Sequence, residues 1–156
     1  MALLVDTNVL VRLAVPADPR HLSARRAVET LAEEGLYVGS QNFIELWNVA
    51  TRPIESNGLG QKIESADQLL KSLEEAFSRL PEPAETYDRW RELVVRFSVS
   101  GVKVHDARLV ALMLANGIDR ILTFNTEDFR RYEALGISTV NPQDLRVDEE
   151  ESPTDT

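Results

Sequence analysis

Apolar and polar residues follow two rhythms along this chain. Short apolar runs, ALLV at the start and later LYV, RILTF and ISTV, read as buried strands of a few residues each. Between them the spacing turns helical. TNVLVRLA follows the first run, and HLSARRAVETLAEEG lines up Ala24, Ala27, Val28, Leu31 and Ala32 before stopping at Gly35. Ser40 is placed to cap a helix through QNFIELWNVAT, which Arg52-Pro53 ends. After the turn-rich PIESNGLG, Ile63, Ala66, Leu69, Leu70, Leu73 and Phe77 mark an amphipathic helix. SRLPEP is a brief extended piece, and Tyr87, Trp90, Leu93, Val94 and Phe97 mark a further helix. HDARLVALMLANG forms another, and DFRRYEALG a short helical segment. Strands alternating with helices predict an α/β fold, with a mainly parallel central sheet covered by helices on both faces.

Such a fold gives chemistry a place, because ligands bind at the carboxyl ends of its strands. Asp6 ends the first apolar run, Glu45 lies early in its helix, and Asp106 opens another helix. If both helices point their N-termini at that edge, the three carboxylates converge. Clustered carboxylates repel and raise one another's pKa. A hard divalent cation such as Mg²⁺ removes that penalty. The pattern therefore predicts a metal-dependent phosphoryl-transfer site.

Each acid also has a plainer reading. Asp6 suits an N-cap, and Glu45 shares a polar stripe with Gln41, Asn48 and Arg52. Asp106 is sharper, since it shares a face with Leu109, Val110 and Met113. An acid on an apolar stripe wants a cap role, a cation or a hydrogen-bonded network. Thr123 and Asn125 offer oxygen atoms to water or metal, and Thr7 and Asn8 beside Asp6 complete a supporting set. Asp128 either offers oxygen in the same way or caps the segment after it, and the cap is the better fit. Arg52 and Arg108, with Arg12 and Lys103, are candidates for phosphate contact, and each also reads as a surface ion-pair partner.

Composition narrows the classes. A chain of 156 residues suits one domain with a real core. No apolar run approaches the ~20 residues that span a bilayer, and the N-terminus lacks a signal peptide's basic start. No membrane association is expected. The absence of cysteine excludes a disulfide scaffold and thiolate metal sites, and fits a cytoplasmic location. With only His21 and His105 available, a multi-histidine zinc site fits poorly. The net charge of -9 argues against a polyanionic partner until it is located. Asp148, Glu149, Glu150, Glu151 and Asp155 contribute five of those charges with no base among them, leaving -4 for the rest. Residues 1–147 read as the folded domain and 148–156 as an acidic, disordered tail.

Taken together, VDTNVL, FIELWN, HDARLVALMLANG and LTFNTEDF resemble the PIN domain in order and spacing, from about Leu3 to Leu145. The nearest likeness is to VapC, the toxin of bacterial and archaeal type II toxin–antitoxin pairs. The resemblance implies a PIN-like three-layer sandwich and a Mg²⁺- or Mn²⁺-dependent endoribonuclease that hydrolyses RNA with metal-activated water. It implies that Asp6 and Asp106 hold the metal and that Glu45 completes the catalytic site. It further implies an RNA substrate, a cognate antitoxin and a homodimer, for which the stripes Ile63, Leu70, Phe77 and Tyr87, Trp90, Val94 are the candidate surface.

The fourth acid of many members falls where this chain has Asn125. An amide coordinates through its carbonyl but adds no charge, so occupancy by one or two ions stays open. Asn125 also keeps alive a catalytically silent PIN module that binds RNA or a protein. Two other classes fit less well. A haloacid-dehalogenase-type phosphatase needs a second acid where Asn8 stands, and a receiver domain needs a late lysine, whereas no Lys follows Lys103.

Overall fold

The computed structural model describes residues 1–145, and the expected domain boundary and acidic tail lie outside the described residues. In chain order the elements are β1 (Leu3–Val5), α1 (Thr7–Ala14), α2 (His21–Leu31), β2 (Leu36–Val38), α3 (Ser40–Thr51), α4 (Ile63–Ala76), β3 (Ser78–Arg79), α5 (Thr86–Arg96), α6 (Val104–Ala115), β4 (Arg120–Leu122) and β5 (Ser138–Val140). The strands form one sheet in the order β3-β2-β1-β4-β5, every neighbouring pair parallel. β1 is central, with Leu3 opposite Leu36 of β2 and Val5 opposite Leu122 of β4.

Side chains alternate across the pleat, and this splits the interior in two. Leu3, Val5 and Leu122 face a core built with Val9 and Leu10 of α1, Ala24 and Ala27 of α2, Leu46 of α3 and Leu73 of α4. Leu4 and Ile121 face the other, built with Leu93 of α5, the buried length of α6, Phe129 and Tyr132. The result is the expected three-layer α/β sandwich. Leu109 to Met113 are almost wholly buried, which explains why α6 is apolar nearly all round. No helix among the described residues is long and apolar enough to cross a membrane.

Several local expectations change. Ser40 does not cap α3: Gly39 holds that position, and its N–H donates to Asn42 Oδ1 at 2.8 Å. The short helical segment runs as successive 3₁₀ turns from Thr126 to Leu135. Its period of three stacks Phe129, Tyr132 and Leu135 along one line against the second core. The two stripes expected at a dimer surface are largely used inside the chain. Phe77 is buried in the first core with Leu70 packed against that core, while Trp90 and Val94 pack on the second. Ile63 and Tyr87 remain exposed.

Gly39, at the start of α3, lies hard against Leu112 of α6. A Cβ at this position would meet Leu112 Cδ2 at 2.6 Å, and Leu112 has no exposed surface into which to move. Gly39→Ala should therefore destabilise the fold by ~1–3 kcal/mol, the usual cost of overpacking. Urea unfolding measures this, and an unchanged midpoint would show that the two helices have slack between them.

Candidate active site

In a wholly parallel sheet the carboxyl ends of all strands share one edge. β1 ends there and delivers Asp6, β4 ends there and delivers Thr123, and β2 leads into α3 with Gln41, Asn42 and Glu45 in its first turns. The first turn of α6 joins the same edge, since Gln41 Nε2 donates to the His105 carbonyl at 2.8 Å. The assumption about helix direction made from the sequence is thus met.

Asp6 is 7% exposed and both its carboxylate oxygens are held. Oδ1 accepts the Thr7 N–H at 2.8 Å, so Asp6 does cap α1. Oδ2 accepts the Thr123 hydroxyl at 2.8 Å and Asn8 Nδ2 at 3.3 Å. Asn8 bridges the strand ends further, donating to Thr123 Oγ1 and accepting the Phe124 N–H. Glu45 is half-buried and held from two sides: Thr7 Oγ1 donates to its Oε2 at 2.6 Å and Gln41 Nε2 to its Oε1 at 2.8 Å. Asn42 Nδ2 in turn donates to Thr7 Oγ1. Among the described hydrogen bonds none reaches the carboxylate of Asp106, which is half-buried at the start of α6.

Electrostatics ties these acids together. The Asp6 carboxyl is pushed up from its ordinary 3.8 to about 7. Burial is the main cause; it outweighs the Thr123 and Thr7 hydrogen bonds, and the charges of Asp106 and Glu45 add to it. Asp106 is pushed up to about 6, first by burial and then by Asp128, with Lys103 pulling the other way and Glu45 adding a smaller push. Asp128 is the acid that sequence reasoning set aside as a cap. Its carboxylate instead takes the Lys103 ammonium, and it stands close enough to act on Asp106. The one available signal was its place three residues after Asn125, which a capping residue shares. Asn125 itself is exposed, and its N–H donates to Thr123 Oγ1.

The basic candidates separate. Arg108 borders the acids, with Nη1 donating to Gln41 Oε1 at 2.8 Å and Nη2 to both oxygens of Glu82 at 2.9 and 3.0 Å. Arg52 sits at the far end of α3 and donates to the Asn57 carbonyl, holding the loop that follows. Arg12 pairs with Asp18 at 2.6 Å.

The donor set suits a hard divalent ion. It is all oxygen, its carboxylates destabilise one another's charged forms, and Asp106 has no competing donor among the described hydrogen bonds. Among the described residues no group of three or more His, Cys, Asp or Glu is placed to hold a metal ion by itself. Mg²⁺ does not require one, because it keeps several waters and takes one or two carboxylates directly.

Comparison with known proteins agrees with this architecture. The profile of the PIN domain family matches residues 3–135. A chain of Rickettsia felis VapBC2, solved bound to a DNA fragment from its promoter, superposes with a TM-score of 0.70 at 17% identity, covering 90% of this chain and 98% of that one. Mycobacterium tuberculosis VapC20, described as a sarcin-ricin loop cleaving toxin, gives 0.64 at 19%, covering 88% and 98%. VapBC-1 from nontypeable Haemophilus influenzae gives 0.68 at 17%, covering 92% and 99%. A search of curated proteins found no match.

The raised carboxyls make a prediction for the metal-free protein. Folded, Asp6 and Asp106 bind protons more tightly than they do unfolded, so each contributes stability at low pH that is lost as pH rises through its folded value. Asp106→Asn removes one such titration. In EDTA the variant should be more heat-stable than wild type above pH about 7, and the gap should close as pH falls towards about 4. Thermal unfolding across that range tests it; a gap independent of pH would remove the buried-carboxylate account.

Proposed function

Because the chain belongs to the PIN domain family, we propose that it is a divalent-metal-dependent endoribonuclease, and the toxin of a toxin–antitoxin pair. The observation that carries this reading is the arrangement of Asp6, Glu45 and Asp106 at the carboxyl edge of the sheet, near enough to perturb one another and framed by Thr7, Asn8 and Thr123. Asp6 and Asp106 would hold Mg²⁺ or Mn²⁺, with Glu45 completing the site. When bound, the cation supplies positive charge that acidifies water and stabilises the charge growing on the phosphate oxygens.

The protein's own groups do the positioning. Thr123 and the Thr7 N–H fix the Asp6 carboxylate, and Thr7 Oγ1 with Gln41 fixes Glu45. Glu45 orients the attacking water and takes its proton. Water forms the new bond to phosphorus, the bond to the 3′ oxygen breaks, and a proton restores the 3′ hydroxyl, leaving a 5′ phosphate. Arg108 contacts substrate phosphate. Its pair with Glu82 is more than a third exposed, so exchange for a phosphate costs ~1 kcal/mol or less. Asp128, paired with Lys103, places a further carboxylate near Asp106. An antitoxin partner belongs to the same reading, supported by the VapBC complexes whose fold this chain shares, and a homodimer is part of the proposal.

Purified protein should cleave RNA with Mg²⁺ or Mn²⁺ and not in EDTA. Asp6→Asn and Asp106→Asn should each lower the rate beyond the ~10–100-fold that losing an outer-shell partner costs, and Thr123→Val should fall within that range. At ~100 times its dissociation constant Mg²⁺ should stabilise the wild type by ~2.7 kcal/mol, and Asp106→Asn should lose most of that. Wild-type protein that binds RNA but cuts none with either metal would leave the silent module standing.

A further inference from the structure

Beside the acids lies a cavity of about 500 Å³ between the first turns of α5 and α6. Its apolar wall includes Tyr87, Trp90 and Val104; its polar rim is Glu82, His105 and Arg108. We propose that this cavity receives an unstacked nucleobase of the RNA, next to the phosphodiester at the acids. The inference rests on the nuclease reading and assigns it a base-binding subsite at the aromatic wall of this cavity.

Three observations converge. The cavity and the acidic site share a wall, because His105 and Arg108 flank Asp106 on α6, and Gln41 bonds Arg108, the His105 carbonyl and Glu45. A strand whose phosphate reaches Asp106 passes the His105 and Arg108 rim of the cavity. The second is the aromatic pair. Tyr87 is 63% exposed, whereas Trp90, Leu93 and Val94 of the same helix pack inward. It lies 5.7 Å from Trp90 at a 34° tilt, and Trp90 is anchored by its indole N–H to the Val104 carbonyl at 2.8 Å. Anchored rings with open surface are what bases stack on. Third, the rim offers donors from Arg108 and His105 and acceptors from Glu82. Nucleobases have apolar faces and polar edges, and this combination of wall and rim matches both. An aliphatic side chain of a protein partner would leave the rim unused.

Trp90 makes the cavity its own reporter. In a Trp47→Phe background it is the one remaining tryptophan, and its fluorescence can be titrated in EDTA, where cleavage plays no part. The probes are oligoadenylate, oligouridylate and an abasic strand of the same length. The expected result is quenching by the strands with bases and much weaker quenching by the abasic one. Tyr87→Leu should weaken binding of the base-bearing strands by at least about fivefold, the lower end of what one base–aromatic stack contributes, while Tyr87→Phe retains it. Exposed Tyr87 supports no core, so both variants should fold. Equal binding of the abasic strand, or unchanged binding by Tyr87→Leu, would overturn the proposal. Quenching by N-acetyl-phenylalaninamide with none by RNA would do the same, and would make the cavity a receptor for a protein side chain. Since no metal is present, failure here is distinct from failure of the nuclease reading: RNA cut without base-dependent quenching rejects only the cavity.

Discussion

The structure turns on one buried carboxylate. Asp6 leaves the central strand at the point where a parallel sheet stops covering its own backbone, and there it is almost fully removed from water. An isolated charge in that setting is strongly disfavoured. Thr7, Asn8 and Thr123 answer with hydrogen bonds, and each of them belongs to the end of β1, the start of α1 or the end of β4. Satisfying Asp6 therefore locks the two central strands and the first helix into a single arrangement. The same frame extends through Thr7 Oγ1 to Glu45, and through Gln41 to α6.

This frame does not neutralise the acids. Hydrogen bonds lower the Asp6 pKa, yet burial and its neighbours win, and Asp106 is raised as well. The fold thus holds carboxyl groups in a place where their charged forms cost free energy. Carboxyl groups held where their charged forms are disfavoured are a common mark of function. The two layers divide the labour: α1 and α3 bring the supporting hydroxyl and amides, while α6 brings Asp106 with no hydrogen bond of its own among those described. A cation would draw on both layers at once.

Arg108 connects that frame to its surroundings. It shares its guanidinium between Gln41, inside the frame, and Glu82, on the rim of the neighbouring cavity. The acids and the aromatic pair are therefore parts of one surface. An overall charge of -9 does not describe that surface, since local pairing with Lys103 and Arg108 offsets the nearby acids Asp128 and Glu82.

Much of this was legible from residue order alone. The period of the apolar positions indicated four of the five described strands, the six described α-helices and the choice of α/β, because burial on one or both faces writes itself into spacing, while β3 shows in the sequence only as a brief extended piece. Asp106 stood out for the same reason, as an acid on a stripe that had to be buried, and DTN, FIELWN and LTFN in sequence pointed to the family. Other features belonged to tertiary structure. Asp128 looks like a cap until Lys103, 25 positions away in the chain, is folded against it. Gln41 looks like solvated polarity until α6 arrives beside it, and Arg52 like a phosphate ligand until its loop closes. Phe77 and Trp90 look like interface residues until each finds a core on its own side of the sheet. Periodicity reports whether a residue will be buried. It carries no information about what will lie opposite, because that depends on long-range partners which only the closed sheet and its two layers bring together.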